Sequence, residues 1–130
     1  MPDSALGYLL KDLRMERRLT LREAAQLAEV DHAYVHRLET GARESPSEEV
    51  LAKLAKALKA PKRETKMLHY LAVHPDADAG LVGHVRSDPT ISYEVFAATA
   101  SVAHRGSARP DYAKQIARIR RILAEEDDGG

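Results

Sequence analysis

Three polar side chains in one short predicted helix are the first candidates for chemistry in this chain. His32, His36 and Arg37 lie within the segment HAYVHRLE, and helical spacing places the two histidines on one face. Two imidazoles four residues apart can hold a metal ion. The metalloprotease pattern, however, requires glutamate directly after the first histidine, and Ala33 stands there. We therefore expect no metal here, and on an isolated helix these side chains would form an ordinary solvated face.

Histidines and aspartates recur further along the chain, but their spacing matches no known metal site. A proline and a glycine among them predict a solvated loop. These residues are His69, His74, Asp76, Asp78 and His84. The sequence also has no cysteine, no Ser-His-Asp ordering and no glycine-rich loop that could cradle a phosphate. We predict that the protein is not an enzyme and uses no cofactor.

Composition narrows the class of protein. A length of 130 residues suits one domain, or one small domain with an extension. No apolar run approaches the ~18 residues that span a bilayer, and the N-terminus lacks the pattern of a signal peptide. We therefore expect a cytoplasmic protein with no membrane partner.

The formal net charge is zero, with 20 basic and 20 acidic side chains, whereas nucleic-acid-binding domains are usually basic. Four of the acidic residues, Glu125 to Asp128, stand together near the end of the chain. DNA affinity depends on the charges that face phosphate, not on the total. Zero net charge therefore predicts weak non-specific binding, but it does not exclude a DNA partner.

Apolar residues recur at intervals of three and four, and β-branched residues are few, so we predict an all-α fold. Thr20 and Glu23 form a capping-box pattern before the second helix, and Asp31 is a suitable N-cap for the third. The first four predicted helices span about 6–17, 21–28, 32–39 and 47–60.

The stretch TLREAAQLAEVDHAYVHRLETG resembles the Xre (lambda-repressor-like) helix-turn-helix family. Ala25 stands where that family needs a small residue between its second and third helices, and Val35 and Leu38 fall at core positions. The resemblance covers roughly residues 5–60. It implies a lambda-repressor-like domain of four to five helices, in which Arg14 and Glu39 form a structural salt bridge between the first and third helices.

The chain departs from the family pattern at three positions. Leu21 replaces a glutamine that often contacts phosphate, and Ala24 replaces a core leucine, which leaves a thinner core. Glu29 replaces the usual glycine of the turn. Because a non-glycine residue with positive φ costs about 1 kcal/mol, this turn could be adjusted.

The resemblance implies that the third helix enters the major groove of DNA. Its base-reading residues would be His32, Ala33, His36 and Arg37. Arg37 could donate two hydrogen bonds to guanine, a contact worth about 1–3 kcal/mol. The candidates for phosphate contacts are Thr20, Arg22, Tyr34 and Arg43. For Tyr34 inward packing is an equal alternative.

We divide the chain into a helix-turn-helix domain (1–61), a helical dimerisation or partner-binding region (62–124) and an acidic disordered tail (125–130). The second region contains a predicted buried helix at about 91–103 and a last helix with apolar residues at heptad spacing. That stripe could pack within the chain or meet a second copy, and we favour a homodimer. The predicted interface residues are Phe96, Tyr112, Ile116, Ile119 and Leu123.

The function predicted from these features is a sequence-specific transcription regulator, a homodimeric repressor that binds a palindromic double-stranded operator. One alternative is an antitoxin that neutralises a protein toxin through residues 63–124. Another rests on the segments MLHYLA and LVGHVRSDPTISYEVFAATA, which resemble repressors of the DNA-damage response that a metallopeptidase cuts. In these two alternatives the chain would also bind another protein, a toxin in the first and a peptidase in the second.

Overall fold

The computed structural model describes residues 4–41, 45–102 and 111–129, and these form eight helices and no strand. Arg43 and the predicted break at 105–107 lie outside the described residues. None of the described helices combines the length and apolar character that crossing a membrane requires. The helices are α1 (Ala5–Glu16), α2 (Leu21–Ala28), α3 (His32–Glu39), α4 (Glu48–Ala57), α5 (Lys62–Val73), α6 (Ala79–Arg86), α7 (Tyr93–Ser101) and α8 (Tyr112–Gly129). The predicted all-α class is confirmed.

Short polar side chains begin most of these helices, because each accepts a hydrogen bond from a backbone N–H that has no partner within the helix. Ser4, Ser47 and Ser92 accept from the third residue of α1, α4 and α7, at 3.0–3.2 Å. The cap at Ser92 explains why α7 begins at Tyr93, two residues after the predicted start at Ile91. Similarly, α4 ends at Ala57 and not Ala60, because left-handed backbone follows at Lys59.

The buried side chains form one hydrophobic cluster to which every helix contributes. Helix α1 lies at its centre and packs on α3, α5 and α6, while α4 packs on α2 and α5. On the far side, α7 packs on α5, α6 and α8. The predicted division after residue 61 therefore does not coincide with a gap in the core.

An ionic network around the buried Glu64 also joins α1 to the helices that follow residue 61. Arg86, at the end of α6, donates hydrogen bonds to Asp12 Oδ2 (3.0 Å) and Glu16 on α1 and to Glu64 Oε2 (2.6 Å) on α5. Arg63 donates to both carboxylate oxygens of Glu64, at 3.2 and 2.9 Å. Nothing in the sequence motifs predicted this network.

Helix α8 is anchored to the rest of the molecule through its first half. Ile116 and Ile119 are buried against α7, and the Tyr112 hydroxyl donates to Asp78, the N-cap of α6. Burial and this carboxylate raise the pKa of Tyr112 to about 12. The helical backbone continues to Gly129 through the acidic residues that we expected to be disordered. Good helix formers such as Ala124 and Glu125 favour that continuation.

Candidate nucleic-acid interface

The α2–α3 unit is closed by local hydrogen bonds that the sequence pattern anticipated. The Thr20 N–H donates to Glu23 Oε1 at 2.9 Å, and the Glu23 N–H donates to Thr20 Oγ1 at 3.1 Å. This reciprocal capping box begins α2. Asp31 then begins α3, its Oδ1 accepting from the Ala33 N–H at 3.4 Å.

The turn between the two helices keeps left-handed geometry although it lacks glycine. Glu29 adopts φ 57° and ψ 42°. The Val30 N–H donates to the Ala25 carbonyl at 3.0 Å and the Glu29 N–H donates to the Gln26 carbonyl at 3.2 Å, which is the Schellman pattern of helix termination. The turn is therefore not adjusted around Glu29, and the glutamate backbone accepts the unfavourable conformation.

Helix α3 has one buried and one exposed side. Val35 and Leu38, each 2% exposed, face α1 and α2. The four predicted base-reading residues are exposed, and at positions i, i+1, i+4 and i+5 they share the opposite side. They are His32, Ala33, His36 and Arg37. Helix α3 therefore exposes these four side chains to solvent while its other side is held against α1 and α2.

Two contacts give that exposed side additional local structure. The Arg37 guanidinium lies over the Tyr34 ring, 5.6 Å from its centroid, a distance at which cation–π attraction operates. Tyr34 itself is half-buried and packs against the hydrophobic core. Near the helix start, His32 Nδ1 lies 3.8 Å from Asp31 Oδ1. Tyr34 thus packs inward and also supports Arg37.

The end of α3 is held to α1 by the ion pair predicted from the resemblance. Arg14 Nε donates to Glu39 Oε2 at 2.7 Å and Arg14 Nη2 donates to Glu39 Oε1 at 2.9 Å, while Arg14 Nη1 donates to the Leu19 carbonyl at 2.8 Å. The hydrogen bond with Glu39 raises the pKa of Arg14. Because this bidentate pair is largely buried, it orients α3 relative to α1.

Gly7 brings the backbones of α1 and α3 together, and the sequence reasoning missed it. A Cβ atom at this position would lie 2.5 Å from the Glu39 carbonyl oxygen and 2.6 Å from that of Leu38. Only a residue without a side chain allows such an approach. A lone glycine within the apolar pattern of the first helix was the available signal.

The phosphate candidates occupy different environments. Arg22 is exposed in the first turn of α2. Thr20 is exposed as well, but its hydroxyl already accepts the capping hydrogen bond. Tyr34 is half-buried, and Arg43 lies outside the described residues. The start of α2 also carries the partial positive charge of a helix N-terminus, which favours an anion.

Three of the histidines and aspartates further along the chain have structural partners. His74 stacks on Tyr70 with ring centroids 4.2 Å apart, and Asp78 caps α6 by accepting from the Gly80 N–H at 2.9 Å. His84 lies beside the Tyr112 ring. Within the described part of the chain, no three side chains of His, Asp or Glu are grouped so as to hold a metal ion.

The five residues predicted to form the dimer or partner interface differ in burial. Phe96, Ile116 and Ile119 are buried within their own chain, whereas Tyr112 and Leu123 are partly buried. The apolar stripe of α8 could pack within the chain or against a second copy. Ile116 and Ile119, in the first half of α8, are buried within the chain, where α8 packs on α7.

Residues 5–68 match the family described as a helix-turn-helix domain. The N-terminal half of the chain is a helix-turn-helix domain. The match includes α1 to α4 and reaches into α5 as far as Leu68, so it extends beyond the range of the resemblance. No curated protein matches the chain. Because the helix-turn-helix domain is a DNA-binding type, this half indicates a DNA-binding regulator.

Proposed function

We propose that this protein is a sequence-specific transcription regulator of the Xre type that acts as a homodimeric repressor. The observation that carries the proposal is the exposed side of α3. It displays His32, Ala33, His36 and Arg37 together, while its opposite side is packed on the supporting helices. A helix-turn-helix domain places such a surface in the major groove.

The chemistry of the exposed side fits base edges. The Arg37 guanidinium can donate two parallel hydrogen bonds to guanine O6 and N7, and Tyr34 beside it limits the number of orientations. Ala33 offers only a methyl group, which suits the methyl group of thymine. His32 and His36 can each donate or accept a hydrogen bond, so their residue type does not specify a target base. Selection of binding sites would identify those bases.

Phosphate contacts would orient this helix on the duplex. Arg22 and the N-terminus of α2 lie at the start of the two-helix unit, and Arg43 follows α3 in the sequence. Such contacts add affinity without sequence preference. Since one half-site gives few contacts and the net charge of the chain is zero, we propose that two copies bind a palindrome. Occupancy of a promoter is then sufficient for repression.

The decisive experiment is selection of binding sites from random duplex DNA at a stated salt concentration, followed by titration of the selected site. Arg37→Ala and His36→Ala should each weaken specific binding, with a loss of about 5- to 150-fold for Arg37. Lys66→Ala, a change of an exposed cation on α5, serves as the control and should bind normally. Unchanged specific binding by both α3 variants would refute the proposed reading surface.

The antitoxin and peptidase-sensitive repressor predictions remain predictions, because nothing in the described residues favours either. Co-purification with the product of a neighbouring toxin gene would support the first. Cleavage near the C-terminus by a cognate peptidase after DNA damage would support the second. Neither result is needed for DNA reading by α3.

A further inference from the structure

The turn between α1 and α2 carries two arginines to which the proposed function assigns no role. Arg17 and Arg18 follow α1 directly and are both exposed, and Thr20, the N-cap of α2, comes soon after them. We refer to residues 17–20 as the basic turn. Arg22 adds a third exposed arginine in the first turn of α2. Positive side chains are therefore concentrated where α2 begins.

The carboxylates that are nearest in sequence do not neutralise the basic turn, because each accepts from another donor. Asp12 Oδ2 accepts from Arg86 Nε at 3.0 Å, and Glu16 also accepts from Arg86. Glu23 Oε1 accepts from the Thr20 N–H at 2.9 Å. Among the side chains that the structure describes, no carboxylate forms an ion pair with an arginine of the basic turn. The turn therefore presents two uncompensated positive charges to solvent.

Arg14 fixes the position of the basic turn relative to α3. Its Nη1 donates to the Leu19 carbonyl at 2.8 Å, and its Nε donates to Oε2 of Glu39, the last residue of α3, at 2.7 Å. One guanidinium group thus contacts both the turn and α3. Because the Arg14 side chain is only 14% exposed and also donates to Glu39 through Nη2, it has little freedom to move. The basic turn is therefore held beside the C-terminal end of α3, close to the exposed side that includes Arg37.

We infer that Arg17 and Arg18 contact the phosphate backbone of the DNA whose major groove α3 enters. The inference rests on the proposed function, because its ligand is the same duplex. The major groove is about 12 Å wide and has a sugar-phosphate strand along each edge, so a cation held beside the end of a helix in the groove is close to one of these strands. Such contacts orient the protein without reading sequence. They also supply local positive charge to a chain whose net charge is zero.

The end of α4 provides a matched pair of cations away from the basic turn. Arg18 and Lys59 both have left-handed backbone after a helix, at φ 57° and 49°, and both are exposed. Lys59, however, stands between α4 and α5, outside the α2–α3 unit. Lys56, near the end of α4, is exposed as well. Lys56 and Lys59 thus match Arg17 and Arg18 in charge and exposure, and one residue of each pair has the same backbone conformation.

The test is fluorescence anisotropy of the full chain on the selected duplex and on an unrelated duplex, from 50 to 200 mM salt. Arg17→Gln with Arg18→Gln should weaken binding to both duplexes by a similar factor. It should also reduce the dependence of log affinity on log salt by about 2, because each phosphate contact contributes roughly 0.9. Arg17→Lys with Arg18→Lys keeps both charges and should retain the salt dependence of the unmodified chain.

The matched control, Lys56→Gln with Lys59→Gln, removes the same charge and should leave the salt dependence unchanged. Unchanged salt dependence in the glutamine variant of the basic turn, or an equal reduction in the control, would overturn the inference, while specific binding by the unmodified chain would still support the proposed function. Loss of helical signal in far-UV circular dichroism of the glutamine variant would assign the two arginines a structural role and would also overturn the inference.

The proposed function can fail separately. If the unmodified chain binds both duplexes equally and the glutamine variant still lowers the salt dependence, sequence-specific reading is refuted and the phosphate contacts are supported. Absence of binding to either duplex would overturn both.

Discussion

Arg86 and Glu64 form a buried ion pair in which Arg86 Nη1 donates to Glu64 Oε2 at 2.6 Å, with 12% and 3% of the two side chains exposed. Arg86 also reaches Asp12 and Glu16 on α1. Together these contacts link α5 and α6 to α1, the helix on which α3 packs. Through them, the second half of the chain supports the helix-turn-helix domain directly.

Removing the cation should destabilise the fold substantially. We expect Arg86→Met to lower the free energy of unfolding by about 3 kcal/mol, because the Glu64 carboxylate stays buried with one cation fewer. Urea denaturation measures this change. Lys66→Met is the matched control, since Lys66 forms an exposed pair with Glu94 at 3.8 Å and should cost less than about 1 kcal/mol. Equal losses in both variants would contradict the importance of the buried pair.

Stability should decrease in acid through Glu64. Burial alone would raise the pKa of this carboxyl, but hydrogen bonds from Arg63 and Arg86 hold its pKa below the ordinary value of 4.5. A group with a lowered folded-state pKa stabilises the fold above its unfolded pKa, and this stabilisation is lost as pH falls through the folded-state value. We expect the unfolding free energy to fall below about pH 4.5, and less steeply in Glu64→Gln. Identical slopes between pH 5 and pH 2 would count against this assignment.

Gly7 should not tolerate even alanine. The added methyl group would lie 2.5 Å from a backbone carbonyl oxygen of Glu39, so α1 and α3 would have to separate. We expect Gly7→Ala to cost about 2 kcal/mol, within the range of overpacked cores. In the matched variant Gly83→Ala, the methyl group would meet the Tyr8 hydroxyl at 3.0 Å, and this side chain can move. Thermal unfolding of both proteins should show the larger loss at Gly7.

One substitution should stabilise the turn between α2 and α3. Glu29 has φ 57°, a conformation that glycine adopts without steric cost. We expect Glu29→Gly to raise the unfolding free energy by about 0.5–1 kcal/mol, the steric gain being reduced by the greater freedom of the unfolded chain. Gln26→Gly, within α2, should instead destabilise by about 1 kcal/mol. A loss of stability in both variants would show that the Glu29 side chain itself contributes.

Phosphate and base contacts should differ in their response to salt. Arg22→Ala should weaken binding to the selected site and to unrelated DNA alike, and should reduce the dependence of log affinity on log salt by about 1. Arg37→Ala should chiefly relax sequence preference. The measurement is fluorescence anisotropy on both duplexes from 50 to 200 mM salt, with Lys66→Ala as control. A selective loss with Arg22→Ala would assign that arginine to base reading.

The sequence by itself determined the local features of this protein. The capping box at Thr20 and Glu23, the bounds of α2 and α3, and the exposed side of α3 all depend on residues within a few positions of one another, so periodicity and capping rules predict them. The Arg14–Glu39 pair spans 25 residues and came from the family resemblance, not from spacing.

Tertiary structure alone decided the contacts between distant helices. Gly7 against Glu39, Arg86 against Glu64, and the packing of Ile116 on α7 each join segments whose separation in sequence carries no periodic signal. The apolar stripe on α8 is the clearest example of a contact that tertiary structure decides. Heptad spacing specifies an apolar face, but whether that face meets its own chain or a second copy depends on how far α7 extends beside it. Helix α8 packs on the short α7, with Ile116 and Ile119 buried, whereas Ile122 further along is 42% exposed.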